Sequence, residues 1–155
     1  MRTTRLLFIL TIVLTTMLVS WSYSTTLEST NAVELNKTPK IKNVVFGKIT
    51  INGTVYEKDV VIEKGNVRQR KKGPSKNLRY KYGHTPLTPL EIIPCYCDTL
   101  VIGIGMSSRL PVTDEFKKAA KEKGITLILL ETPKAAVYLM ENYGQRTNAI
   151  IHITC

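Results

Sequence analysis

Side chains suited to catalysis and metal binding are scarce in this sequence. Its 155 residues hold two histidines, three cysteines and one tryptophan. Three cysteines leave one unpaired, and the order of residues does not say which two would pair. The glycine-containing runs carry no Gly-Lys-Ser/Thr, so a P-loop is excluded. No RNA-recognition or helix-turn-helix pattern occurs, and no internal repeat is present. What remains is an ordinary globular composition, 43% apolar and 22% charged. A chain of this length suits one domain, with a core that needs neither metals nor disulfides.

Acidic residues are also missing from one long stretch. Between Lys64 and Lys81 stand Lys64, Arg68, Arg70, Lys71, Lys72, Lys76, Arg79 and Lys81 without an intervening acid. These eight account for most of the net charge of +10, which is 22 basic less 12 acidic residues. The basic character is therefore local. With Tyr80 and Tyr82 at its end, the stretch can track phosphates of RNA, DNA or anionic lipid. A solvated loop is the competing reading, and nucleic acid lacks any supporting motif.

The N-terminus has the opposite deficit. Arg2 and Arg5 precede an uncharged run from Leu6 to Tyr23. A charged start and an apolar stretch describe a secretory signal, and Ser22-Tyr23-Ser24 allows cleavage after Ser24. The run also has the length of a membrane anchor, which takes ~17–25 apolar residues. The expectation is a signal peptide or anchor over 1–24, with membrane contact through 6–23 and the domain exported or held outside. A misassigned start would instead leave a cytoplasmic protein. Residues 25–45, rich in Ser, Thr and Asn, read as a polar linker, and the domain is expected over 46–155.

Within the domain, Phe46 to Asn52 alternates as a strand and Asn52-Gly53 marks a hairpin. The returning strand is expected from Thr54 to Ile62, with a turn at Gly65-Asn66 and a third strand over Val67 to Arg70. Lys71 to Gly83 reads as a loop, and Thr88-Pro89 opens a short helix. Asp98 to Gly105 is apolar on both faces, as in a strand covered on both sides. Thr113 opens a helix whose acids Asp114 and Glu115 precede its lysines, matching the helix dipole. Ile125 to Leu130 reads as a second buried strand, Thr132-Pro133 starts another helix, and Asn148 to Thr154 is the last strand. The order points to an α/β layer with an added hairpin.

Several short motifs stand in a recognisable order. They are Gly47-x-Ile49-x-Ile51-x-Gly53, Tyr56-x-x-Asp59-Val60, Gly83-His84, Leu100 to Met106, Pro111-Val112, Gly124-Ile125, Thr132-x-x-Ala135 and His152-Ile-Thr-Cys155. On these residues the chain resembles the Mth-type domain family (the "Mth nine-three-eight" domain). The resemblance implies a three-layer α/β fold with a mixed central sheet and an N-terminal β-hairpin. It implies no catalytic reaction, and the family's eukaryotic members resemble assembly or regulatory factors. Many relatives show Tyr-Asn where Leu139-Met140 stand here.

Four sets of residues are candidates for function. Gly103, Gly105, Met106, Ser107, Ser108 and Arg109 follow a buried strand, where ligands gather in open α/β sheets. With Thr132, their amides and side chains can hold an anion. A tight turn needing glycine is the alternative. His84 and His152 are candidate acid/base groups, and Cys155 with a histidine is a candidate nucleophile pair. Alternation along a strand would put His152 and Cys155 on opposite faces. Cys95 and Cys97 are candidate soft-metal ligands, against a disulfide, but paired zinc ligands usually stand two residues apart and no fourth ligand is evident. Arg68, Arg70, Lys71, Lys72, Lys76, Arg79 and Lys81 form the basic patch. The expected function is a binding, assembly or regulatory module without a cofactor, taking a protein partner or small anionic ligand. The rival is an enzyme using the Gly103–Arg109 loop with a histidine.

Overall fold

A computed structural model describes residues 38–155, apart from residues 92, 93 and 95. Two pairs of adjacent residues with positive φ set the early architecture. They are Asn52 and Gly53 (φ 53° and 83°) and Lys64 and Gly65 (φ 51° and 79°). Two such residues in a row match the right-handed twist of a tight hairpin. The first turn joins β2 (Lys48–Ile51) to β3 (Thr54–Tyr56), and the second joins β4 (Val60–Glu63) to β5 (Asn66–Gln69). β1 (Ile41–Val45) pairs antiparallel with β2, completing a three-stranded sheet. The stretch read as linker therefore ends sooner than 45. Ile41 is buried with Ile49 and Ile51, and the core claims it as strand.

The strand expected from Thr54 to Ile62 is interrupted. The chain leaves the small sheet after Tyr56 and enters a second sheet at Val60. That sheet has the order β5-β4-β8-β6-β7, where β6 is Thr99–Ile104, β7 Thr126–Leu130 and β8 Thr147–His152. β4 is antiparallel to β5 and β8, while β6 runs parallel to β8 and β7, so the sheet is mixed. A 3-10 turn (Gly73–Leu78) and one helical turn, α1 (Arg79–Tyr82), occupy the stretch read as a loop. Thr88 starts only a turn, in which the Glu91 amide donates to the Thr88 carbonyl at 3.1 Å.

α2 (Asp114–Glu122) begins where expected, because the Thr113 hydroxyl accepts from the Phe116 amide at 3.2 Å. α3 (Thr132–Asn142) begins with Pro133 in its first turn. Strand alternation sends side chains to two faces. Val60, Ile62, Val101, Ala149 and Ile151 meet β1, β2 and α3 on one face. Val61, Leu100, Ile102 and Ile150 meet Phe116 and Ala120 of α2 on the other. This is the expected three-layer α/β arrangement. β8, with all six residues buried, is the middle strand. β7, read as buried, is an edge strand with Leu129 38% exposed, because only β6 pairs with it.

The expectation of a membrane-anchored or exported protein is corrected. No helix among the described residues is long and apolar enough to cross a membrane. The described helices have 4, 9 and 11 residues, against the ~17 or more that a bilayer requires. The run 6–23, on which membrane contact was read, lies outside the described residues.

Candidate functional site

Strand register assembles a buried charge cluster. β4 and β5 pair Val60 with Gln69, and β4 and β8 pair Val60 with Ile151. One step further along each ladder, Asp59 lies between Arg70 and His152. Residues directly opposite across strands share a face and touch. Both interactions form: Arg70 Nη1 donates to Asp59 Oδ2 at 3.3 Å, and His152 Nδ1 lies 3.0 Å from the same oxygen. Lys72 Nζ donates there as well at 3.3 Å, and the Ile153 amide donates to Oδ1 at 3.4 Å.

Arg70 is 3% exposed and carries a second carboxylate. Its Nε and Nη2 each donate to one Glu91 oxygen at 2.8 Å, and Nη2 also donates to the Pro86 carbonyl at 3.0 Å. This planar, two-pronged contact is what guanidinium supplies and ammonium does not. It explains why Thr88 to Glu91 forms a turn, since Glu91 must point inward. Charges so buried persist only when paired, and among the described residues no buried side-chain nitrogen or oxygen lacks a partner. For Asp59, burial pushes the carboxyl pKa upward. The hydrogen bond and charge of His152, then Lys72 and Arg70, outweigh it and hold the group at about 2. The carboxylate is thus ionised at neutral pH, so His152 must present Nδ1–H to it. The other ring nitrogen, Nε2, faces the Thr154 hydroxyl at 3.0 Å.

Beside this cluster opens a cleft of about 390 Å³ lined by Phe46, Lys72, Lys76, Arg79, His84, Thr85, His152, Thr154 and Cys155. Each wall is held by a specific contact. Gly47 N donates to the Ile153 carbonyl at 2.7 Å and pins the first hairpin, with Phe46, to the segment after β8. The buried hydroxyls of Ser75 and Thr88, 2.8 Å apart, tie the 3-10 turn to the Thr88 turn. That contact sets Lys76 and Arg79 on the rim. Cys155 Sγ lies 3.4 Å from His84 Nδ1.

The structure brings His84, His152 and Cys155 to one cleft together with Lys72, Lys76 and Arg79. β8 stops at His152, so strand alternation does not extend to Cys155, and the expectation of opposite faces is corrected. The Gly103–Arg109 loop lies apart from this lining. Gly105 N donates to Thr132 Oγ1 at 3.1 Å, and Met106 N to the Thr154 carbonyl at 2.8 Å. Thr132 Oγ1 in turn donates to the His152 carbonyl at 2.5 Å. These two amides serve the fold and are not directed at a ligand. A Cβ on Gly105 would stand 1.7 Å from the Cys155 carbonyl oxygen, so glycine is required by close approach as well as by its φ of 102°. Gly103 admits Thr132 in the same way, its Cβ position lying 2.9 Å from Thr132 Oγ1. Ser107, Ser108 and Arg109 are exposed.

The basic segment is divided by the fold. Arg70 is buried in ion pairs, Arg68 meets Glu63 at 3.3 Å, and Lys81 lies over the Tyr82 ring. Lys71 is exposed. Cys95 lies outside the described residues. Cys97 is buried, and its thiol donates to the Pro94 carbonyl at 3.6 Å. Among the described residues no three His, Cys, Asp or Glu side chains gather as metal ligands. Sequence reasoning missed Asp59, Glu91 and Thr154. The one available signal was an acid directly before the apolar Val60-Val61-Ile62 run, where burial would demand a partner.

Residues 41–147 match the family described as "Protein of unknown function (DUF498/DUF598)". Among solved structures, the chain is similar to the conserved hypothetical protein PH1505 from Pyrococcus horikoshii OT3. Identity is 32%, the match covers 75% of this chain and 99% of that one, and the TM-score is 0.64. It is also similar to MT938, with 26% identity, 76% and 99% coverage and a TM-score of 0.58. An outer membrane protein from Bartonella henselae, at 13% identity, 78% and 99% coverage and a TM-score of 0.51, shares the fold alone. The chain belongs to the DUF498/DUF598 family, and its folded domain is of the Mth type.

Proposed function

We propose that the domain is a binding module for a small anionic ligand held in the cleft by Lys72, Lys76, Arg79 and His84. One observation carries this reading. Three cationic side chains and two imidazoles line a concave site with no Asp or Glu in its lining. Lys72 shares Asp59, while Lys76 and Arg79 form no ion pair among the described residues. Cations left unpaired around a concave site raise the positive potential there. The volume falls at the lower end of the ~300–1,000 Å³ usual for small-molecule sites. The division of the basic segment favours a compact anion over a long nucleic acid, which needs a continuous track.

Titration of the full chain with inorganic phosphate and pyrophosphate, followed by calorimetry, tests this. Saturable binding that weakens with added salt is expected. Lys76→Gln or Arg79→Gln removes one charge-assisted hydrogen bond, worth about 1.5–3 kcal/mol. That corresponds to roughly a tenfold to hundredfold weaker Kd. No saturation by either anion, or affinity only for mixed oligonucleotides, would overturn the reading.

A further inference from the structure

We propose that Cys155 captures an anionic low-molecular-weight disulfide as a mixed disulfide inside the cleft. This rests on the reading of the cleft as an anion site. Three separate features meet at the thiol. It is free and partly exposed, whereas the other described thiol, Cys97, is buried. A histidine nitrogen, His84 Nδ1, stands 3.4 Å from the sulfur. The cleft has room for a small molecule, and its lining, without Asp or Glu, sets Lys72, Lys76 and Arg79 around the same space. A nucleophile, a base and a cationic docking surface therefore share one hollow, which is the combination that thiol exchange with a charged partner requires.

The chemistry balances without any further reagent. With His84 protonated at Nε2, its Nδ1 accepts the Cys155 proton as the sulfur attacks one sulfur of the bound disulfide. One S–S bond forms to Cys155 and the original S–S bond breaks. The departing thiolate takes the proton back from His84. The disulfide is the oxidant, and half of it is released as reduced thiol. Carboxylates on the disulfide would sit against Lys76 and Arg79. His152 is committed to Asp59 through Nδ1 and to Thr154 through Nε2, so it is not the base in this step.

The test compares two probes on the full chain. One is the dianionic disulfide dithiobis(nitrobenzoate); the other is uncharged hydroxyethyl disulfide. Rates are divided by those of a small free thiol with the same probes, and adducts are located by mass spectrometry of peptides. The expected result is an adduct on Cys155 and a normalised preference for the anionic probe of about tenfold or more, within the range of electrostatic steering. Arg79→Gln and Lys76→Gln should each cut that preference severalfold. His84→Gln should slow both probes. Saturating inorganic phosphate should protect against the anionic probe alone. Equal normalised rates for the two probes, or an adduct confined to Cys95 or Cys97, would overturn the proposal. Phosphate calorimetry on the unmodified chain separates the two failures. Saturable phosphate binding without anionic preference sinks only the thiol inference, and absence of both sinks the anion site as well.

Discussion

Asp59→Asn tests the buried cluster at its centre. The substitution keeps the shape and removes the charge that Arg70, Lys72 and His152 surround. Asp59 has a pKa of about 2 in the folded protein against an ordinary value of 3.8. A depressed folded pKa gives stability that is fully present above the unfolded value and is lost as pH falls toward the folded one. At about 1.4 kcal/mol per unit, the ionised carboxylate contributes about 2 kcal/mol at pH 7. The same relation leaves roughly half of that at pH 3 and little by pH 2. Urea unfolding of the full chain from pH 7 to pH 2.5, with Asp59→Asn beside it, measures both terms. The variant should be less stable by about 2 kcal/mol at pH 7, and the gap should narrow below pH 4. A constant gap across that range, or identical acid unfolding of the two proteins, would refute the assignment of Asp59 as an ionised hub.

Other substitutions probe neighbouring contacts. Arg70→Met leaves the buried Glu91 without its cation, takes one of three partners from Asp59, and should cost about 3–5 kcal/mol in chemical denaturation. Arg70→Lys should recover only part of that, because an ammonium cannot hold both Glu91 oxygens and Asp59 at once. Gly105→Ala drives a methyl to 1.7 Å from the Cys155 carbonyl oxygen; a lower melting temperature and weaker phosphate binding should appear together. Gly73→Ala meets nothing within 4 Å and should leave the melting temperature nearly unchanged. Thr113→Ala removes the cap of α2 and should cost about 1 kcal/mol in urea unfolding.

Much of the framework was legible in the residue order. Asn52-Gly53 announced its hairpin, Thr113 its helix start, and the apolar run after Asp98 its interior strand. Where local signals misled, tertiary pairing supplied the reason. Thr54 to Ile62 is a continuous strand by composition, yet Asp59 breaks it because its carboxylate is wanted by two other strands. Ile125 to Leu130 is apolar enough for an interior strand, yet only one neighbour is available to it. The basic stretch looked like one patch, but register buries Arg70 while the 3-10 turn puts Lys76 and Arg79 on a rim.

By itself the sequence determined the order and type of most elements, because turns, caps and alternation depend on residues a few positions apart. Only the tertiary structure decided which charges pair and which side chains share a cleft. Asp59 meets His152 across 93 positions, and Cys155 meets His84 across 71. Such meetings follow from strand register and burial, which exist only once the sheet has closed.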